Sequence, residues 1–135
     1  MKYVYPAVFH PEADGGYSIT FPDLPGCITQ GDDLADGIEM AEDALAMILC
    51  DYEDRGAEIP VPSDARESFS AAAPGDAVTM IRADTLAYRR QTDSRAVKKT
   101  LTIPAWLDTM ASRQNINFSN VLQKALVKEL GIDKA

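Results

Sequence analysis

Charge divides this chain into two parts that one uniform surface cannot serve. Residues 1–81 hold 3 Lys/Arg against 16 Asp/Glu, and residues 82–135 hold 10 against 5. The formal net charge of −8 averages over both. An acidic surface suits a basic partner, and a basic surface suits a polyanion such as DNA. The split points to a protein that joins the two, an arrangement no enzyme requires.

A chain of 135 residues can hold one domain or two small ones. The acidic part can bury a modest core. The last stretch is too short to fold comfortably alone, so oligomerisation is the expected remedy. The boundaries read as 1–81 for a first domain, 82–96 for a short helix and linker, and 97–135 for a second domain. No run of about 18 apolar residues exists to span a bilayer. The start, Met1-Lys2-Tyr3-Val4-Tyr5-Pro6, has no signal-peptide core, so a cytoplasmic location is expected. Cys27 and Cys50 match no metal spacing and are expected as buried thiols.

Tyr3 to Phe9 alternates apolar residues, broken by Pro6, and Tyr17, Ile19 and Phe21 share one face of a second strand. Between them Asp14-Gly15-Gly16 supplies turn signals, which predicts a β-hairpin. Asp23-Leu24-Pro25-Gly26 reads as a turn, and Cys27 to Gln30 as a third strand. A long helix follows, with Asp33 as N-cap, Asp36 as a short capping-box partner and Gly56 as the stop. Its expected apolar stripe is Leu34, Ile38, Ala41, Leu45, Ile48 and Tyr52. Gly37 inside it reads as a mild defect of about 1 kcal/mol. Residues 57–75 are Pro-, Ser- and Ala-rich and read as a loop, and Ala77 to Ile81 as a last strand. The predicted class is α+β, with an antiparallel sheet, one packed helix and the order β-β-β-α-β.

Beyond a short helix over 84–92 comes a six-residue strand candidate, Lys98 to Ile103, ended by Pro104. Two helices follow, from Ala105 to Gln114 and from the N-cap Asn117 to Gly131. A strand that short needs a partner. Two copies pairing antiparallel would form a ribbon over a shared helical core, and such a ribbon fits the DNA major groove. With Leu101 and Ile103 inward, Lys98, Thr100 and Thr102 point outward toward base edges. Asn117, Phe118 and Ser119 open the second helix, where free N–H groups suit a phosphate.

No catalytic constellation stands out, and neither a cofactor nor a metal is expected. His10 is the only histidine and reads as a packed or surface residue. Asp14, Asp23, Asp32, Asp33 and Asp36 could be imagined as metal ligands, but each sits where a turn or cap needs it. The outward face of the long helix carries Glu39, Glu42, Asp43, Asp51, Glu53 and Asp54, off the apolar stripe. Of these Glu39, Glu42 and Asp43, together with Asp23, are the candidates for meeting a basic partner.

Several short motifs, in order, resemble the HicB antitoxin family. They are Tyr5-Pro6-Ala7-Val8, Asp14-Gly15-Gly16-Tyr17, Phe21-Pro22-Asp23-Leu24-Pro25-Gly26-Cys27 and Thr29-Gln30-Gly31-Asp32 with the Ala/Glu-rich helix after it. Residues 97–131 look like the ribbon-helix-helix domain that one branch of that family shares with Arc/MetJ repressors. Departures are Asp33 where Thr is frequent, Asp36-Gly37 where Glu-Ala is usual, Lys99 at an inward ribbon position, and Asn115 where Gly is common. The resemblance implies a type II toxin–antitoxin system. The partner would be a HicA-like toxin, a small basic ribonuclease with a double-stranded-RNA-binding-like fold and a catalytic histidine. The first domain would be a reduced RNase H-like fold without its catalytic carboxylates, masking the toxin. The second would dimerise and bind operator DNA, with higher oligomers left open. Two rival functions remain: a stand-alone ligand-sensing repressor and a metal-dependent RNase H-type nuclease.

Overall fold

The computed structural model describes residues 1–132, so the last three positions of the second domain, 133–135, lie outside the described residues. The chain forms two compact units, Met1–Arg95 and a second beginning at Ala96.

The first unit is built on a four-stranded antiparallel sheet in the order β3-β2-β1-β4. Strand β1 is Lys2–Pro11, β2 is Tyr17–Thr20, β3 is Ile28–Gly31 and β4 is Ala77–Asp84. β1 runs straight through Pro6. β2 pairs with it only from Val8 onward, so Pro6 has a strand neighbour on one side alone, where a missing N–H is tolerated. Period-two alternation puts Tyr5, Ala7 and Phe9 on the face covered by helix α1, Leu34–Arg55. The β1–β2 turn closes with Glu12 N–H donating to Gly16 O at 2.8 Å, and Gly15 adopts φ +94°.

Helix α1 begins as its caps predict. The Asp33 carboxylate accepts from Asp36 N–H, and the Asp36 carboxylate reaches back to Asp32 N–H, each at 2.8 Å. Gly56, at φ +61°, ends it. The buried face differs from the expected stripe. Leu34 and Ile38 are 52% and 40% exposed, whereas Ala41 and Leu45 meet the core as expected, Ile48 and Tyr52 pack against it, and Gly37, Ala46, Leu49 and Cys50 join them. The reason is a close approach between β3 and α1. A Cβ on Gly31 would overlap the Gly37 backbone, and a Cβ on Gly37 would lie 3.0 Å from the Phe9 ring and 3.2 Å from Ile19. The glycine that looks like a defect in the sequence is what lets the helix sit on the sheet.

The stretch read as a loop contains a helix, α2, Ala65–Ala71, capped by Asp64. It packs on the opposite face of β1 and β4, which is why Pro6 and Val8 are buried along with Tyr5, Ala7 and Phe9. Helix α3, Thr85–Thr92, follows β4 directly, with Asp84 as its N-cap. Arg89 pins α3 to the end of α1, bonding Cys50 O at 3.2 Å and Asp54 at 2.9 Å. The unit is therefore β-β-β-α-α-β-α rather than β-β-β-α-β, and the short helix belongs to it rather than to a linker.

The second unit holds α4, Ala105–Arg113, and α5, Phe118–Glu129. Asn115 turns the chain between them at φ +52°. Asn117 caps α5 by accepting from Asn120 N–H at 3.1 Å. No residue of either helix is buried. Residues 97–103 carry no strand in the single chain.

Candidate functional site

The acids of α1 fall into two groups. At its C-terminal end Asp51 pairs with Arg55 at 2.8 Å, Asp54 with Arg89 at 2.9 Å and Glu53 with Arg89 at 3.6 Å. Glu53 also accepts from the Thr85 hydroxyl at 2.8 Å and from the Tyr3 hydroxyl at 3.3 Å. Burial first, and then the Glu53 charge, raises the Tyr3 phenol above its ordinary pKa. This end of the helix is an internal fastening. Glu39, Glu42 and Asp43, by contrast, are exposed and have no cation partner among the described residues. They line an open groove shared with α3. The sequence placed all six acids on one outward face; the structure leaves three of them free.

Asp23 is set apart from that group. Its carboxylate accepts from Ser63 N–H at 2.9 Å and from the Ser63 hydroxyl. Nearby the Tyr5 hydroxyl donates to Pro60 O. Together these bonds hold the chain between α1 and α2 against the turn after β2, so the Asp23 oxygens already have partners.

His10 has partners that its position in sequence does not advertise. Its Nδ1 lies 2.9 Å from Asp76 and its Nε2 3.3 Å from Thr20 Oγ1. The pair borders a hollow of about 490 Å³ beneath α2, lined by Val8, Pro22 and Ala71 to Ala73. Among the described residues no group of three or more His, Cys, Asp or Glu side chains converges on a metal position. Asp14 bonds Gly16 N–H at 3.1 Å, Asp33 caps α1 and Asp23 holds Ser63.

In the second unit Lys98, Thr100 and Thr102 are exposed, and so are Leu101, Ile103, Trp106, Leu107, Met110, Val121 and Leu126. Trp106 is 64% exposed. At the start of α5 the Asn117 side chain is used as a cap, the Ser119 hydroxyl accepts from Gln123 Nε2 at 3.0 Å, and Phe118 is 46% exposed.

The first unit thus carries a free carboxylate face on α1, and the second holds two helices whose apolar side chains are exposed. A sequence profile described as "HicB_like antitoxin of bacterial toxin-antitoxin system" matches residues 5–126, and the chain belongs to that family. "Antitoxin HicB 1" of Photorhabdus laumondii is 37% identical over 65 residues, 48% of this chain and 42% of that protein. The chain thus aligns with less than half of that relative. Among solved structures, "Toxin-Antitoxin complex from Streptococcus pneumoniae" is similar with a TM-score of 0.59 at 26% identity, covering 96% of this chain and 99% of that one. "HicA3 and HicB3 toxin-antitoxin complex" is similar with a TM-score of 0.51 at 25% identity, covering 61% and 99%.

Proposed function

We propose that this chain is an antitoxin that masks a HicA-like ribonuclease toxin with its first unit. In the same reading it pairs through its second unit to bind operator DNA and repress its own operon in the cytoplasm. The observation that carries the reading is the division just described. One unit presents unpaired carboxylates, and the other presents a basic segment with an uncovered apolar face.

Two copies meeting over residues 98–103 would bury Leu101 and Ile103 and turn Lys98, Thr100 and Thr102 outward to the major groove. The N-terminus of α5, at Asn117, Phe118 and Ser119, would face phosphate. The first unit would be a reduced RNase H-like domain that has kept the sheet and helix without the catalytic acids. The spread of Asp14, Asp23 and Asp33 among a turn, a tether and a cap weighs against the nuclease alternative. The hollow beneath α2 leaves a ligand-sensing repressor as the second reading. Its discriminator is the adjoining reading frame, which would then encode no small basic ribonuclease.

The test uses that neighbouring toxin and the full chain. The antitoxin should block RNA cleavage, and the triple variant Glu39→Lys, Glu42→Lys, Asp43→Lys should associate more slowly and with weaker salt dependence. A folded triple variant that associates at the wild-type rate in low salt would move the toxin interface elsewhere. Failure of the wild-type chain to bind the toxin at all would end the antitoxin reading.

A further inference from the structure

We propose that the groove between the first half of α1 and α3 seats one protruding arginine- or lysine-bearing segment of the toxin. The aliphatic stem would rest on an apolar floor and the cation among the groove carboxylates. This rests on the antitoxin reading above and assigns the place on the first unit where the partner enters.

The groove is open and measures about 890 Å³. One wall is α1 with Glu39, Glu42 and Asp43, and the other is α3 with Tyr88 and Gln91. Its apolar lining on α1 and α3 includes Met40, Ala46 and Ala87. Met40 is 40% exposed, although it is a large apolar side chain in a unit with a well-filled core. Five carboxylates border the groove, counting Asp36 and Asp84, against the two cations Lys2 and Arg82. A concave, net-negative site focuses its field and draws cations inward.

The floor narrows the choice of occupant. Simple counter-ions gain nothing from Met40, Ala46 or Ala87. A nucleic acid or an anionic lipid surface meets like charge. Long basic side chains match both features, because they bury a hydrocarbon stem while keeping the charged head hydrated or paired. The half-buried Tyr88 adds an aromatic surface for such a cation. The two features should act on different rates. The carboxylates speed encounter, and the apolar floor and Tyr88 lengthen residence.

The experiment measures the full chain against the HicA-type toxin encoded beside it. The double variant Met40→Gln, Ala87→Ser removes apolar floor without changing charge. Its complex should dissociate about tenfold faster or more while association stays near wild type. In parallel, a benzoylphenylalanine photo-crosslinker at position 91 should capture the toxin, while the same group at position 12 in the β1–β2 hairpin should not. Circular dichroism and urea melting check that each variant is folded. If wild type binds toxin but the double variant dissociates unchanged and position 91 captures nothing, the groove is not the seat and the antitoxin reading stands. Crosslinking only to a second copy, through its own basic segment, overturns the proposal in favour of a self-interface. If wild type neither binds nor inhibits, both fall together.

Discussion

Gly31 and Gly37 show how a single residue can be misjudged when its partner is distant in the fold. Helix propensity prices Gly37 as a loss, but the sheet-to-helix approach leaves no room for a side chain at either position. The residues that are legible from sequence act locally: Asp33, Gly56, Asn115 and Asn117 each do in the structure what their neighbours in the chain require. Those that are not legible act across the fold. His10 finds Asp76, and Asp23 finds Ser63, and no local pattern announces either pair. Cys27 carries a further consequence at this scale. It is buried, and burial pushes its thiol from an ordinary 9.0 up to about 11. As pH rises the unfolded chain gives up that proton first, so the thiol's contribution to stability is whole below pH 9 and is lost between 9 and 11. Urea melts of the wild type should weaken across that window, and Cys27→Ala should flatten the loss. Equal pH slopes in the two proteins would show that Cys27 is not the group responsible.

Periodicity locates α1 but sets its buried face slightly wrong. It weights Leu34 and Ile38 by hydropathy and cannot register that two glycines fix the helix rotation. α2 escapes because seven residues rich in Ser and Ala among prolines give no clear period, and its Asp64 cap is a weak signal alone. The strand candidate at Lys98 to Ile103 poses a different case. Its ladder partner, in the proposed reading, is a second copy, and a single chain leaves the segment without a strand. The prediction at this scale is that the second unit melts at a temperature that rises with protein concentration. Thr100→Ala and Thr102→Ala should relax operator preference, each costing on the order of 1–3 kcal/mol, while Lys98→Ala weakens binding. Footprints identical to wild type from all three variants would mean that another face reads the DNA.

Charge asymmetry along the chain anticipates two units, but it puts the divide too early. β4 continues to Asp84, and α3 returns through Thr85, Tyr88 and Arg89 to pack on α1. The part that should stand alone is therefore residues 1–95, not 1–81. Residues 1–95 should fold, bind the toxin and block cleavage, less tightly where avidity is lost. Residues 1–81 should melt earlier, because Glu53 then loses its partners Thr85 and Arg89. Equal stability of the two fragments in thermal melts would show that α3 is dispensable. Inhibition absent from a folded 1–95 fragment would mean that neutralisation needs the second unit.

The bare helices of the second unit bear on how the protein responds to growth. If masking needs one copy and operator occupancy needs two, the two tasks follow different powers of cellular dosage. As dividing cells dilute the chain, the linked pair thins out faster than the single copies do. Transcription of the operon would then resume while toxin is still held, and fresh antitoxin would arrive before the reserve is exhausted. The uncovered faces of α4 and α5 would thus give the operon an early gauge of supply.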